Sequence, residues 1–147
     1  KFRGGTPVQN QIIRGLKNTK LSAFRVSEKI DSGPIYLKKD ISLSNNALKI
    51  YSRIEKKSFE MIEEIIKKEI KPKKQRGIVT TFKRRKSNQS IINKKINTMN
   101  KIYDFIRMLD AENYPKANIK LNNFVCEFYD SKLINNCVHG KFKIKKK

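Results

Sequence analysis

The chain has 147 residues, with 35 Lys+Arg against 13 Asp+Glu for a formal net charge of +22. Hydrophobic residues make up 37% of it, enough to bury a core, which excludes a wholly disordered basic tail. No run approaches the roughly 18 apolar residues of a membrane span, and no basic-then-apolar signal segment opens the chain, so the expected setting is cytoplasmic.

Residues 8–16 read as a short helix, with Ile12, Ile13 and Leu16 on one face and Pro7 in the first turn, where a helix accepts proline. Residues 21–26 and 35–43 alternate apolar and polar side chains and predict two strands. Between them, Gly33-Pro34 punctuates a loop over residues 28–34. A long helix is predicted over residues 46–70, with Ala47, Ile50, Tyr51, Ile54, Met61, Ile62, Ile65 and Ile66 at helical spacing. Ser44 or Asn45 would cap it, and Glu60, Glu63 and Glu64 would pair with Lys67 and Lys68.

Pro72 and Gly77 bound a basic linker at 72–77, which divides the chain into units 1–71 and 78–147. The second unit opens on a β-rich run at 78–82. It then predicts one helix over 98–109, with Met99, Ile102, Tyr103, Ile106 and Leu109 facing inward. Strands follow at 117–121, 124–129 and 139–144, with Asn122-Asn123 as a tight turn between the first two. That pattern is a small antiparallel sheet or open barrel with one helix.

Cys126 and Cys137 fit no metal-ligand spacing and read as small packing residues. His139, the single histidine, reads as a surface or turn residue. The charge leans toward the second unit: residues 1–71 hold 16 basic and 8 acidic side chains, and residues 72–147 hold 19 and 5. Clusters stand at 83–86 and 145–147. The bias reads either as a solvated surface or as a polyanion-binding face. A non-enzymatic nucleic-acid binder would expose aromatics beside these cations. Tyr103, Phe124 and Phe128 instead fall at core-like periodicity.

Two loops carry the chemistry. Arg3-Gly4-Gly5-Thr6-Pro7 leads a glycine pair and a guanidinium into a helix, a geometry suited to anions. Asp31-Ser32-Gly33-Pro34 sets one carboxylate at the mouth of an interstrand loop.

In this order, the two loops and their flanking elements resemble the later part of the formyltransferase core. Ile102-Tyr103-Asp104-Phe105-Ile106-Arg107 and Tyr114-Pro115-Lys116-Ala117 resemble that family's C-terminal domain, as does Phe82-Lys83-Arg84-Arg85. The resemblance covers nearly the whole chain and implies an α/β fold. Residues 1–71 would be the C-terminal portion of a Rossmann-like catalytic core, and residues 78–147 a small β-rich, open-barrel-like domain with one helix.

It also implies transfer of a formyl group from 10-formyltetrahydrofolate to a primary amine. Such chemistry needs a base for the amine proton and donors for an oxyanion. In the family an Asn and a His supply these from a motif ahead of the Arg-Gly loop. Here they would fall before Lys1, which implies a chain truncated at its N-terminus and inactive by itself. Asp31 matches the third member of the trio, the carboxylate that orients the His.

The resemblance makes Asp31, Ser32 and Gly33 the folate-side candidates. Arg3, Gly4 and Gly5 become candidates for the acceptor side, and Gln9 and Asn10 acceptor contacts or plain helix surface. The favoured acceptor is an amino-sugar nucleotide, from the detail of the loops and the shortness of the second unit. Initiator tRNA is the alternative, favoured by that unit's charge. No membrane partner is implied, and the oligomeric state is left open.

Overall fold

The computed structural model describes residues 2–146. Lys1 and Lys147, the latter the end of the C-terminal lysine cluster, lie outside the described residues. The fold is mixed α/β with a sheet-rich C-terminal part. In chain order it runs β1 (Phe2–Gly4), α1 (Pro7–Ile12), β2 (Asn18–Phe24), β3 (Ile35–Ser42) and α2 (Ala47–Lys67). It continues with β4 (Thr80–Phe82), α3 (Met99–Leu109), β5 (Ala117–Leu121), β6 (Phe124–Ile134) and β7 (Cys137–Lys146).

Helix α1 is shorter than its apolar pattern predicts. It stops at Ile12, and the Gly15 N–H, donating to the Ile12 carbonyl at 2.8 Å, reverses the chain toward β2. β2 and β3 form an antiparallel pair with a bulge at Ala23/Phe24, the slip in alternation visible in the sequence. Helix α2 is capped by Asn46 rather than by Ser44 or Asn45. The Asn46 side chain accepts from the Lys49 N–H, while Asn45 takes a left-handed turn at φ 68°. Two of the expected pairs form, Glu63 with Lys67 and Glu64 with Lys68; Glu60 pairs instead with Lys57, and Glu64 also reaches Lys39 on β3 at 2.6 Å.

Sequence separation hides the pairing of β1 with β4. These two three-residue strands run parallel, Phe2 opposite Thr80 and Gly4 opposite Phe82, and the Phe2 and Phe82 rings stack with centroids 5.2 Å apart. One apolar core runs through both halves of the chain. Val8, Ile12, Leu43 and Ile50 pack with Phe105, Ile106, Met108, Leu109 and Ala117.

Two buried charged groups fasten α3 in place. Arg107 donates to the carbonyls of Leu43 and Asn45 and pairs with Asp104 at 2.7 Å. Asp110 accepts from Lys116 at 2.8 Å, from the Asp130 N–H at 2.9 Å and from Asn46 at 3.0 Å, tying the start of α2 to β6. Burial pushes the Asp110 carboxyl up, but these three donors outweigh it and hold it below the usual carboxylate range.

The inward set of α3 differs from the periodicity. Met99 is exposed, and Phe105, Arg107 and Met108 are buried in addition to Ile106 and Leu109. On α2, Ile62 and Ile66 are exposed, because they lie roughly 120° and 160° around the helix from Ile50, whereas buried Met61 lies within about 20° of it.

The C-terminal sheet has the order β5-β6-β7, all antiparallel. Asn122 takes φ 44° in the first turn, as expected. The second hairpin is longer than the sequence pattern, since β6 reaches Ile134 and β7 starts at Cys137. Asn135 and Asn136 both have positive φ, the signature of a type I′ turn. Cys126 is buried, as a packing residue should be, whereas Cys137 is exposed at the strand start; both are free. His139 is exposed. Among the described residues, no helix is long and apolar enough to cross a membrane.

Candidate functional site

The two loops singled out in the sequence meet. The Gly4 N–H donates to Asp31 Oδ2 at 2.8 Å, across 27 residues of chain. Gly4 can make this approach because it has φ 91° and no side chain. A Cβ there would stand 2.4 Å from the Phe82 carbonyl oxygen. The pairing of β1 with β4 thus sets the glycine loop, and the glycine loop in turn fixes the carboxylate.

Asp31 itself has φ 53°, a left-handed conformation uncommon for a residue with a Cβ. Its loop is closed tightly upon itself. The Arg25 N–H donates to the Pro34 carbonyl at 2.9 Å, and Gly33 packs directly on the Arg25 carbonyl. Ser32 turns back into the loop, its hydroxyl donating to the Lys29 carbonyl at 2.8 Å and lying 3.0 Å from Ser27 Oγ.

Arg3 and Asp31 line one open cleft of about 230 Å³ together with Phe24, Lys20, Lys38 and Gln75. Arg3 Nη2 donates to Gln75 Oε1 at 2.8 Å, while Arg3 Nε is buried without a hydrogen-bond partner. A buried donor in that position calls for an acceptor. The cleft therefore presents a half-buried carboxylate beside a guanidinium that is bonded to Gln75. The described residues contain no cluster of three His, Cys, Asp or Glu side chains arranged for a metal.

Gln9 and Asn10 stand elsewhere. Gln9 is fully buried, and its amide donates to the Tyr51 hydroxyl at 3.0 Å, so it belongs to the core beneath α1. The Tyr51 hydroxyl in turn lies 3.3 Å from that of Tyr114. Burial first, and then the Tyr114 hydroxyl, push the Tyr51 phenol up to about 12, so it stays protonated. Asn10 turns its amide onto the Gly5 and Thr6 carbonyls, at 3.2 and 3.1 Å, and braces the glycine loop from within. Gln75 is the residue that sequence reasoning missed. It sits in the basic linker, where nothing but its position next to Pro72 and Gly77 would draw attention.

A second surface lies on the C-terminal sheet. The register places Lys141, Lys143 and Lys145 of β7 and Lys120 of β5 on one face. Lys145 pairs with Glu127 at 2.7 Å and Lys141 with Asp130 at 2.9 Å. On the opposite face Phe142 is 62% and Phe124 is 48% exposed. The expectation that Phe124 is a core residue is thereby corrected. Cys126 is buried and Phe128 packs against the core, while Phe124 lies at the end of the sheet beside Lys146, away from it.

Comparison with known proteins adds the family context. A family model described as "Methionyl-tRNA formyltransferase, C-terminal domain" matches residues 87–145. A methionyl-tRNA formyltransferase of Thermodesulfovibrio yellowstonii is 34% identical over 113 residues, covering 73% of this chain and 36% of that protein. The solved methionyl-tRNA formyltransferase from Clostridium thermocellum is 42% identical with a TM-score of 0.94, over 99% of this chain and 64% of that one. A sugar 3N-formyltransferase, WlaRD, solved in the presence of dTDP and 5-N-formyl-THF, is 16% identical with a TM-score of 0.63. It overlaps 86% of this chain and 57% of its own, a likeness of fold alone. The chain spans about a third of the length of the Thermodesulfovibrio protein. These likenesses overturn the expectation of an amino-sugar nucleotide acceptor. The strong sequence similarity is to tRNA enzymes, and the sugar enzyme shares the architecture only.

Proposed function

We propose, because this chain belongs to the formyltransferase family, that it serves formyl transfer from 10-formyltetrahydrofolate to the methionyl amine of initiator tRNA. The observation that carries this reading is the 42% identity to the Clostridium thermocellum enzyme, maintained over 99% of the chain. Bound formyl-folate would supply the formyl carbon. The residues of this chain bind and orient around it.

Asp31 is the acid–base member contributed here. Its carboxylate, held by the Gly4 N–H, would orient and stabilise the charged form of a histidine base supplied by the rest of the core. The loop of residues 31–33 would lie on the folate side of the cleft, with Asp31 in its lining. The Asn10 bracing keeps the glycine loop from relaxing when acceptor enters.

The lysine face of the C-terminal sheet is the tRNA-facing surface in this account. Lys120 and Lys143 form no ion pair among the described residues, so they remain able to neutralise phosphates. Binding of labelled initiator tRNA to the complete protein is therefore expected to weaken steeply with salt. Lys120→Gln and Lys143→Gln should each lower the slope of log K against log salt by about 1. Salt-independent binding, or a slope indifferent to both substitutions, would count against the tRNA reading.

A further inference from the structure

We propose that Gln75 is a positioning residue for formyl transfer, locking the Asp31 loop and Arg3 into a single geometry. The inference rests on the formyl-transfer reading of Asp31. Gln75 Nε2 donates to the Asp31 carbonyl at 2.9 Å and to the Gly33 carbonyl at 2.7 Å, while its Oε1 accepts from Arg3 Nη2 at 2.8 Å. All three bonds agree on one orientation of the amide. Flipping it would face an amino group to a guanidinium and an oxygen to two carbonyls.

The backbone that carries Gln75 is itself fixed. Ile35 and Lys73 exchange two backbone hydrogen bonds, at 2.7 and 2.8 Å, which dock the linker onto the start of β3. Residues 72–77 are thus a structural wall of the cleft as well as a connection.

Asp31 shows why such a lock matters. Aspartate tolerates a φ of 53° at a modest cost, and the contacts around Asp31 fix which way its carboxylate points. Gln75 grips the Asp31 carbonyl, and the Gly4 N–H grips its carboxylate. The two grips are coupled, because Arg3, the neighbour of Gly4, is bonded to the same Gln75 amide. A single side chain from the linker therefore sets the distance between the two loops and the aim of the carboxylate, without needing to touch substrate.

The test is a double-mutant cycle in the complete enzyme, read by single-turnover formyl transfer to methionyl initiator tRNA. Gln75→Ala is expected to lower kcat at least about tenfold, the scale of a small misplacement of a reacting group, with KM for tRNA within about twofold of wild type. On an Asp31→Asn background the same change should cost almost nothing further, because Gln75 acts through Asp31. Should Gln75→Ala not fold, Gln75→Glu replaces it. This variant keeps the size and the Arg3 contact but has no donor for the two carbonyls, and it should show the same loss. A wild-type kcat in whichever variant folds, or losses that multiply with Asp31→Asn, would overturn the proposal. A harmless Asp31→Asn would instead remove the underlying reading of Asp31.

Discussion

Asp31→Asn in the complete enzyme is expected to slow formyl transfer by at least about a hundredfold, the low end for loss of an acid–base group. The substitution preserves size, and the asparagine oxygen can still accept from the Gly4 N–H, so the loop contact survives. What disappears is the negative charge. In the proposed mechanism, the histidine base would lose the partner that orients it and stabilises its cationic form in the transition state. The loss should therefore appear in the chemical step, with tRNA affinity unchanged. Single-turnover rates and tRNA binding measured on the same preparation separate the two. A near-wild-type rate would take Asp31 out of the mechanism.

Gly33→Ala is expected to cost about as much, for a different reason. A Cβ at this position would lie 1.7 Å from the Arg25 carbonyl oxygen and 2.9 Å from its carbon. Both are backbone atoms in a loop closed by the Arg25–Pro34 hydrogen bond, so no flexible side chain can give way. The loop has to open, and Asp31, two residues earlier, moves with it. A displacement of about 1 Å can cost on the order of a hundredfold in rate. The distortion is confined to a partly exposed loop outside the apolar core, so the thermal midpoint should fall far less than activity does. Kinetics and thermal unfolding of the variant decide this, and full activity would mean that the loop tolerates the expansion without disturbing Asp31.

The helices and most strands were legible because each is marked by local rules. Ile50 and Met61 on α2, Ile106 and Leu109 on α3, and the alternation through β2 and β3 all follow from neighbours a few residues apart. The Asn135-Asn136 turn carried a signal that was overlooked. Asparagine tolerates the left-handed region, and two in succession suit a type I′ hairpin.

Other features had no local signature. The parallel pairing of Phe2 with Thr80 joins two very short strands, one at the start of the chain and one near its middle. Ile62 and Ile66 were counted with the apolar face of α2 but lie on its far side, and periodicity does not show what covers Phe124, so all three stand exposed.

Asp31 and the glycine loop stood out because their residue types and order are distinctive, and the structure brings the two loops together. Gln75 could not, since a glutamine in a basic linker has no characteristic chemistry until its three partners are seen. Gln9, polar and on a first helical turn, reads as surface, yet the Tyr51 hydroxyl gives it a partner that allows full burial. The acceptor was misjudged because short loop motifs are shared by enzymes with different acceptors. Similarity sustained along the whole chain discriminates between them, and a few residues do not.

The central claim is that methionyl initiator tRNA is the acceptor. The most direct measurement is kcat/KM of the complete protein with 10-formyltetrahydrofolate, using that tRNA and an amino-sugar nucleotide side by side. The account predicts formyl-methionyl-tRNA as the product, with the sugar nucleotide at least about a hundredfold poorer, as a site built around a different acceptor should discriminate. Efficient formylation of the sugar nucleotide with the tRNA left unmodified would contradict it.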